Sequence, residues 1–235
     1  MAACGGSNGG SGSTSGTAAK VQARFVEGAP ELETIINGAP QDIGSAFLTV
    51  NGQTVASAFP YGTRTPFVPV SAGTLSLTAL NSQGYAVGPI KTTTALTAGK
   101  SYTVALVGAY PSYHALVFEE PPPSTDARLS LYEASPTLPN ADFGRFAAST
   151  NSNFKKLGSA HYASVVTVSL GTSVTNFGGY AGKGTTPFAN GALTTASVDP
   201  FDTTNSLPFN NSGRFSLFVL DPKNGVGPVF ATLDQ

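Results

Sequence analysis

Phe47-Leu48-Thr49-Val50-Asn51-Gly52-Gln53-Thr54-Val55-Ala56 sets the fold class. A short run of aromatic and β-branched residues reaches Asn-Gly, the pair that accepts positive φ at both centres of a tight hairpin turn. A second strand-forming run comes directly after it. The alternation recurs on either side. Val21, Ala23 and Phe25 alternate with Gln22 and Arg24, and Leu75, Leu77 and Ala79 alternate with Thr74, Ser76 and Thr78. Tyr102, Val104 and Leu106 come after the turn Ala98-Gly99-Lys100, and Ala115-Leu116-Val117-Phe118 closes the segment. No stretch carries a 3.6-residue apolar period. Short strands at this spacing predict an all-β fold, a β-sandwich or a barrel and not a βαβ sheet, and of these the antiparallel β-sandwich of immunoglobulin or transthyretin type is the one expected.

Composition narrows the function classes. Of 235 residues 40% are apolar, enough for a real core, yet no apolar run approaches the roughly 18 residues that a membrane span needs, which predicts a soluble body. The net charge is −1 and only 11% of residues are charged. Without a basic stripe, nucleic acid is excluded as a partner. With 27 glycines and 17 prolines the chain has many turns and few long helices. The single cysteine, Cys4, rules out an intrachain disulfide, so the core must hold the fold.

Along the chain, residues 5–19 are Gly/Ser/Thr-rich and cannot bury enough apolar surface to offset the entropy of ordering, which predicts a disordered, flexible tether. Pro121-Pro122-Pro123 then breaks the chain with three residues that lack an N–H donor and favour a stiff connection. Beyond these prolines the landmarks of the first half recur. Glu27-Gly28-Ala29-Pro30-Glu31-Leu32 aligns with Glu133-Ala134-Ser135-Pro136-Thr137-Leu138. Pro69-Val70-Ser71-Ala72-Gly73-Thr74 aligns with Thr167-Val168-Ser169-Leu170-Gly171-Thr172, and Ala98–Val104 aligns with Ser212–Leu217. Three landmarks in one order predict a tandem duplication: a tether over 1–19, one sandwich over 20–121, and a second, diverged sandwich over 126–235. The stiff connection predicts modules that are adjacent but distinct. The stretch from Phe177 to Asn211 reads as an insertion of long loops.

These landmarks resemble bacterial lipoproteins built from the domain of unknown function 4397. The matching phrases are Val26-Glu27-Gly28-Ala29-Pro30, Val50-Asn51-Gly52, Pro60-Tyr61-Gly62-Thr63, Ser71-Ala72-Gly73-Thr74 and Ala98-Gly99-Lys100-Ser101-Tyr102-Thr103. The second copy keeps Tyr132-Glu133-Ala134-Ser135-Pro136, a weaker Leu157-Gly158-Ser159, and Leu170-Gly171-Thr172. Both copies carry glutamate where that family often has His or Asn, and Glu33 to Ser45 looks inserted. The opening Met1-Ala2-Ala3-Cys4-Gly5 is similar to a bacterial lipidation site, in which the cysteine thiol takes the acyl anchor. Such a precursor carries an apolar leader ahead of the cysteine, expected here to have been trimmed or to lie upstream. The resemblance implies a tandem of sandwiches, lipid-anchored in a bacterial cell envelope at the outer membrane or cell surface, with the membrane as a partner through Cys4. It implies no activity.

Chemistry-bearing patterns are few. His114 and His161 belong to no metal-ligand spacing, and no Gly-x-Ser-x-Gly elbow or phosphate loop is present. No metal or cofactor is expected. Glu27 and Glu133 hold equivalent places, but as catalytic carboxylates they would have to meet across a substrate; as strand-ending acceptors of turn amides they need not meet. Glu119, Glu120 and Asp126 flank the proline run and read as solvated. The aromatic candidates for a binding surface are Tyr110 and Tyr113 with His114 at one strand connection, and Phe177, Tyr180, Phe188 and Phe201 in the Gly/Thr-rich stretch. The sequence therefore predicts a non-enzymatic envelope protein with a structural or adhesive role, meeting envelope proteins or glycans. A carbohydrate-binding module and a hydrolase with a loop-assembled site remain as alternatives.

Overall fold

The computed structural model describes residues 19–44, 46–123, 128–138, 140–145, 155–169, 177–181, 187–191, 214–221, 223 and 229–234. Every regular element among them is a strand, and none is a helix long and apolar enough to cross a membrane. Ten strands precede the proline run: β1 (Lys20–Glu27), β2 (Glu33–Ile36), β3 (Ala39–Asp42), β4 (Ala46–Val50), β5 (Gln53–Phe59), β6 (Val68–Ser71), β7 (Ser76–Leu80), β8 (Ala86–Lys91), β9 (Ser101–Ala109) and β10 (Ser112–Glu119). Eight lie beyond it: β11 (Arg128–Glu133), β12 (Asn140–Arg145), β13 (Lys155–His161), β14 (Ser164–Ser169), β15 (Phe177–Ala181), β16 (Pro187–Gly191), β17 (Arg214–Val219) and β18 (Val229–Asp234).

One order of pairing occurs twice. The first half forms sheets β10-β9-β1-β6 and β5-β4-β7-β8, and the second forms β18-β17-β11-β14 and β13-β12-β15-β16. The Asn51-Gly52 hairpin is made as expected, with φ of 49° and 80° at the turn centres. The segment read as an insertion is a second hairpin of the same kind: β2 and β3 pair around Asn37 (φ 53°) and Gly38 (φ 84°).

Two expectations need correction. The sheets are not antiparallel throughout, because β1 pairs parallel with β9, and β11 with β17. Between β1 and β9 the chain lays down an entire second sheet, so it returns in its original direction, and a parallel pairing requires such a long crossover. The loops expected from Phe177 onward contain β15 and β16, which extend the sheet of β12 and β13. Gly178, Gly179, Ala189 and Gly191 give these strands no apolar alternation to read, since glycine is depleted in strands and presents no side chain.

From Ala23 to Glu27 both faces of β1 are buried. Val21, Ala23 and Phe25 pack into the first core with Leu48, Phe59, Leu75, Leu77, Val104 and Leu106. Val26 points the other way. With Ala105, Val107, Leu116 and Phe118 it forms a second cluster that takes in Tyr132, Ala134, Phe218 and Leu220 from beyond the proline run. The halves are therefore not independent where they meet. Gly28 marks how close they come: a Cβ there would lie 2.7 Å from Leu220 Cδ2 and 3.1 Å from the Leu106 carbonyl oxygen.

Candidate binding cleft between the two halves

Side chains alternate along a strand, so Gln22, Arg24 and Val26 share one face of β1. In register beside them on β9 stand Ser101, Thr103 and Ala105. Opposite, Arg128, Ser130 and Tyr132 on β11 are in register with Arg214, Ser216 and Phe218 on β17. At one end the two faces are sealed by the apolar cluster. Tyr132 stacks on Phe218 at 4.8 Å between centroids and meets Phe118 edge-on at 5.5 Å.

Arg24 is the next layer and is 0% exposed. Its Nε donates to Thr103 Oγ1 at 2.6 Å. Its Nη2 lies 2.7 Å from Ser216 Oγ, 3.1 Å from Tyr132 Oη and 3.2 Å from Glu120 Oε1. Tyr132 Oη donates onward to Glu120 Oε2 at 2.8 Å, and the Thr103 hydroxyl donates to Glu120 Oε1. The guanidinium also lies over the rings of Phe67, Tyr132 and Phe218, at 5.0, 5.5 and 5.5 Å. A buried charge is tolerated when it is paired and its donors are satisfied, and the planar guanidinium does both here. Burial, then the Glu120 carboxylate, pushes the Tyr132 phenol up, keeping it a neutral donor. Glu120, read as solvated, is instead tied into this network with its side chain 14% exposed.

Past Arg24 the faces part. A cleft of about 610 Å³ opens between the halves, lined by Gln22, Phe67, Ser101, Arg128, Ser130 and Pro121–Pro123. Lys100 and Glu119 form a 2.7 Å ion pair on its wall, each side chain about half exposed. Ser130 Oγ is bonded to Thr167 Oγ1 at 2.8 Å. The Arg128 guanidinium has no hydrogen-bond or ion-pair partner among the described residues.

At the far end of the interface, the two glutamates behave alike. Glu27 Oε1 accepts the Ala29 N–H at 2.8 Å, and Glu133 Oε1 accepts the Ser135 N–H at 3.1 Å. Both residues are buried, and Oε2 of each has no partner among the described residues. Burial raises Glu27 well above the ordinary carboxylate range and pushes Glu133 up to about 8. Burial thus favours the neutral form of both carboxyls, which organise the turn after a strand. The backbone oxygen of Glu27 accepts the Gly62 N–H, and that of Glu133 accepts the Ala163 N–H. Tyr162-Ala163-Ser164, with Ala163 at φ 62°, thus stands where the first half has Tyr61-Gly62-Thr63. Leu157-Gly158-Ser159, aligned there from sequence, lies inside β13 instead.

The halves are also tied at this end. The Tyr61 hydroxyl donates to the Asp221 backbone oxygen, and Lys223 Nζ lies 3.9 Å from Asp42 Oδ2. The Asp221 carboxylate accepts the Ser135 and Thr137 hydroxyls, at 2.5 and 2.6 Å. Glu27, Asp42, Tyr61 and Lys223 line a small cavity of about 80 Å³ that Glu133 does not share.

Of the aromatic candidates, Tyr113 and His114 lie on β10 and line a pocket of about 390 Å³ with Pro89, Lys91 and Pro111; Tyr110 sits at the preceding turn, outside that lining. Tyr113 is committed to structure, accepting the Glu33 N–H at 2.7 Å and donating to the Glu31 oxygen at 3.1 Å. His161 Nδ1 meets Asn140 Oδ1 at 2.6 Å. Phe177 and Tyr180 fall on β15 and Phe188 on β16, with side chains outside the described residues, as are Cys4, Asp126 and Phe201 altogether. No cluster of three or more metal-ligating side chains occurs among the described residues. The sequence reading missed Arg24, Glu120 and Arg128. Arg24 occupies the polar phase of an alternating strand, a phase that ordinarily faces water.

No curated protein matches the chain. Residues 34–144, from within β2 into β12 and across the proline run, match the family described as a domain of unknown function, DUF4397.

Proposed function

We propose that this protein is a non-catalytic body displayed in a bacterial cell envelope, anchored through an acylated Cys4 and the tether after it, with a structural or adhesive role. In this reading two copies of one sandwich module act as a single unit. The repeated strand order supports the copies, and the interface carries the reading: the Arg24 network and the apolar cluster beside it join the halves into one surface. The carboxyls whose protonation is most displaced, Glu27 and Glu133, serve turns and not a shared cavity. The anchor is tested by metabolic labelling with an acyl probe in cells expressing the chain behind a lipoprotein leader, with Cys4→Ala as control. Label on the wild type alone supports the reading, and an unlabelled wild type overturns it. The display role is tested by capture from envelope extracts with the purified chain, where recovery no greater than on an unrelated β-sandwich would end it.

A further inference from the structure

We propose that the cleft between the halves binds an acidic sugar unit of an envelope or extracellular polysaccharide, with the sugar carboxylate on Arg128. The inference rests on the display role above and names its ligand. Position comes first: the cleft lies between two packed units, where small-ligand sites concentrate, and its volume of about 610 Å³ falls within their usual range.

Charge decides the class. Lys100 is cancelled by Glu119 at 2.7 Å, and Arg24 by Glu120 at 3.2 Å. Arg128 is the lining cation left without a carboxylate among the described residues. Its planar fork takes a carboxylate through two parallel hydrogen bonds. A single unpaired guanidinium suits a ligand with one anion per ring better than a densely phosphorylated chain.

Shape supplies the sugar. Phe67 is 40% exposed, and its ring is held against the Arg24 guanidinium at 5.0 Å. With Pro121–Pro123, which offer no N–H, it gives an apolar wall for the C–H face of a pyranose ring. Gln22 and Ser101 stand on the same cleft and offer an amide and a hydroxyl to ring hydroxyls. Arg24 thereby acts on the site indirectly, as the group that positions Phe67.

The test is titration calorimetry on the full chain with a trimer of galacturonic acid, a neutral galactose trimer and inorganic phosphate. The acidic trimer should bind and the neutral trimer about tenfold more weakly or worse, as loss of a charge-assisted pair predicts. Arg128→Gln should lose the same factor, and Phe67→Ser should weaken both trimers. Urea midpoints like the wild type's establish that each variant is folded. The idea is overturned if the wild type ignores the acidic trimer, if Arg128→Gln binds it undiminished, or if phosphate competes as well as the trimer. A wild type that ignores the trimer yet still captures envelope material ends this inference and leaves the display role standing.

Discussion

Set the two inner faces of the interface side by side and the same positions carry opposite sizes. By register, Val26 and Ala105 of the first half correspond to Tyr132 and Phe218 of the second. Val107, one step beyond, corresponds to Leu220. Along β1 and β9 one face is a shallow tray of small side chains, bordered by Leu116 and Phe118 of β10, and the other is a set of large ones that fill it. Charge divides likewise, since Arg24 corresponds to Ser130. One strand plan can thus present two surfaces that fit each other, provided the side chains diverge in size and polarity while the backbone does not.

The sharpest way to break this complementarity is Arg24→Ala. It would leave Glu120 without its cation and Tyr132 and Ser216 without a shared donor, at a cost of about 3–5 kcal/mol. A loss of unfolding free energy, from urea titration, of less than a fifth of that would show the network to be incidental. Ala105→Phe attacks the size rule from the small side and should cost about 1–3 kcal/mol by overpacking. Adding Phe218→Ala should then cost less than it does in the wild-type background, because the pair shares one space. Strict additivity in that cycle would refute the tray-and-filler picture.

A subtler probe is pH. The Glu133 carboxyl is raised in the folded state from its ordinary value of 4.5 to about 8, and Glu27 moves the same way. A raised carboxyl pKa contributes stability that is complete below the unfolded value and is lost as pH rises through the folded one. Stability from Glu133 should therefore decline from about pH 4.5 to about pH 8, and Glu133→Gln should flatten that decline. A curve equally steep in the variant would assign the effect elsewhere. Smallest of all is Lys100→Ala, which removes an exposed pair on the cleft wall and should leave the urea midpoint unchanged.

Legible in the sequence is whatever buries one face at a time. Leu75, Leu77 and Ala79 reach the first core around β7, and Asn51-Gly52 is the hairpin it announces. The similar Glu27 and Glu133 phrases do stand at corresponding strand ends, of β1 and β11. Burial on both faces is harder to see. β1 reads as a half-exposed strand because its second face carries Gln22 and Arg24, and nothing local says that another sheet lies above them. The second tyrosine phrase escapes its true place because alanine holds a positive φ where glycine marks the first. The cleft is invisible for a related reason: Gln22, Phe67 and Arg128 are far apart in sequence and meet only because β1, β9 and the proline run bring the halves together.

β1 has one further consequence, a mechanical one. It lies between β9, with six residue pairs in parallel register, and β6, with four in antiparallel register. Tension applied to the chain ahead of Lys20 runs along both ladders and loads their hydrogen bonds in shear, so they must fail together and not unzip singly. Arg24 bolts the same strand to the sheet above. The element that receives a pull from any tether is thus clamped along both edges and on one face, and resistance to detachment is set by the rate of forced unfolding more than by equilibrium stability.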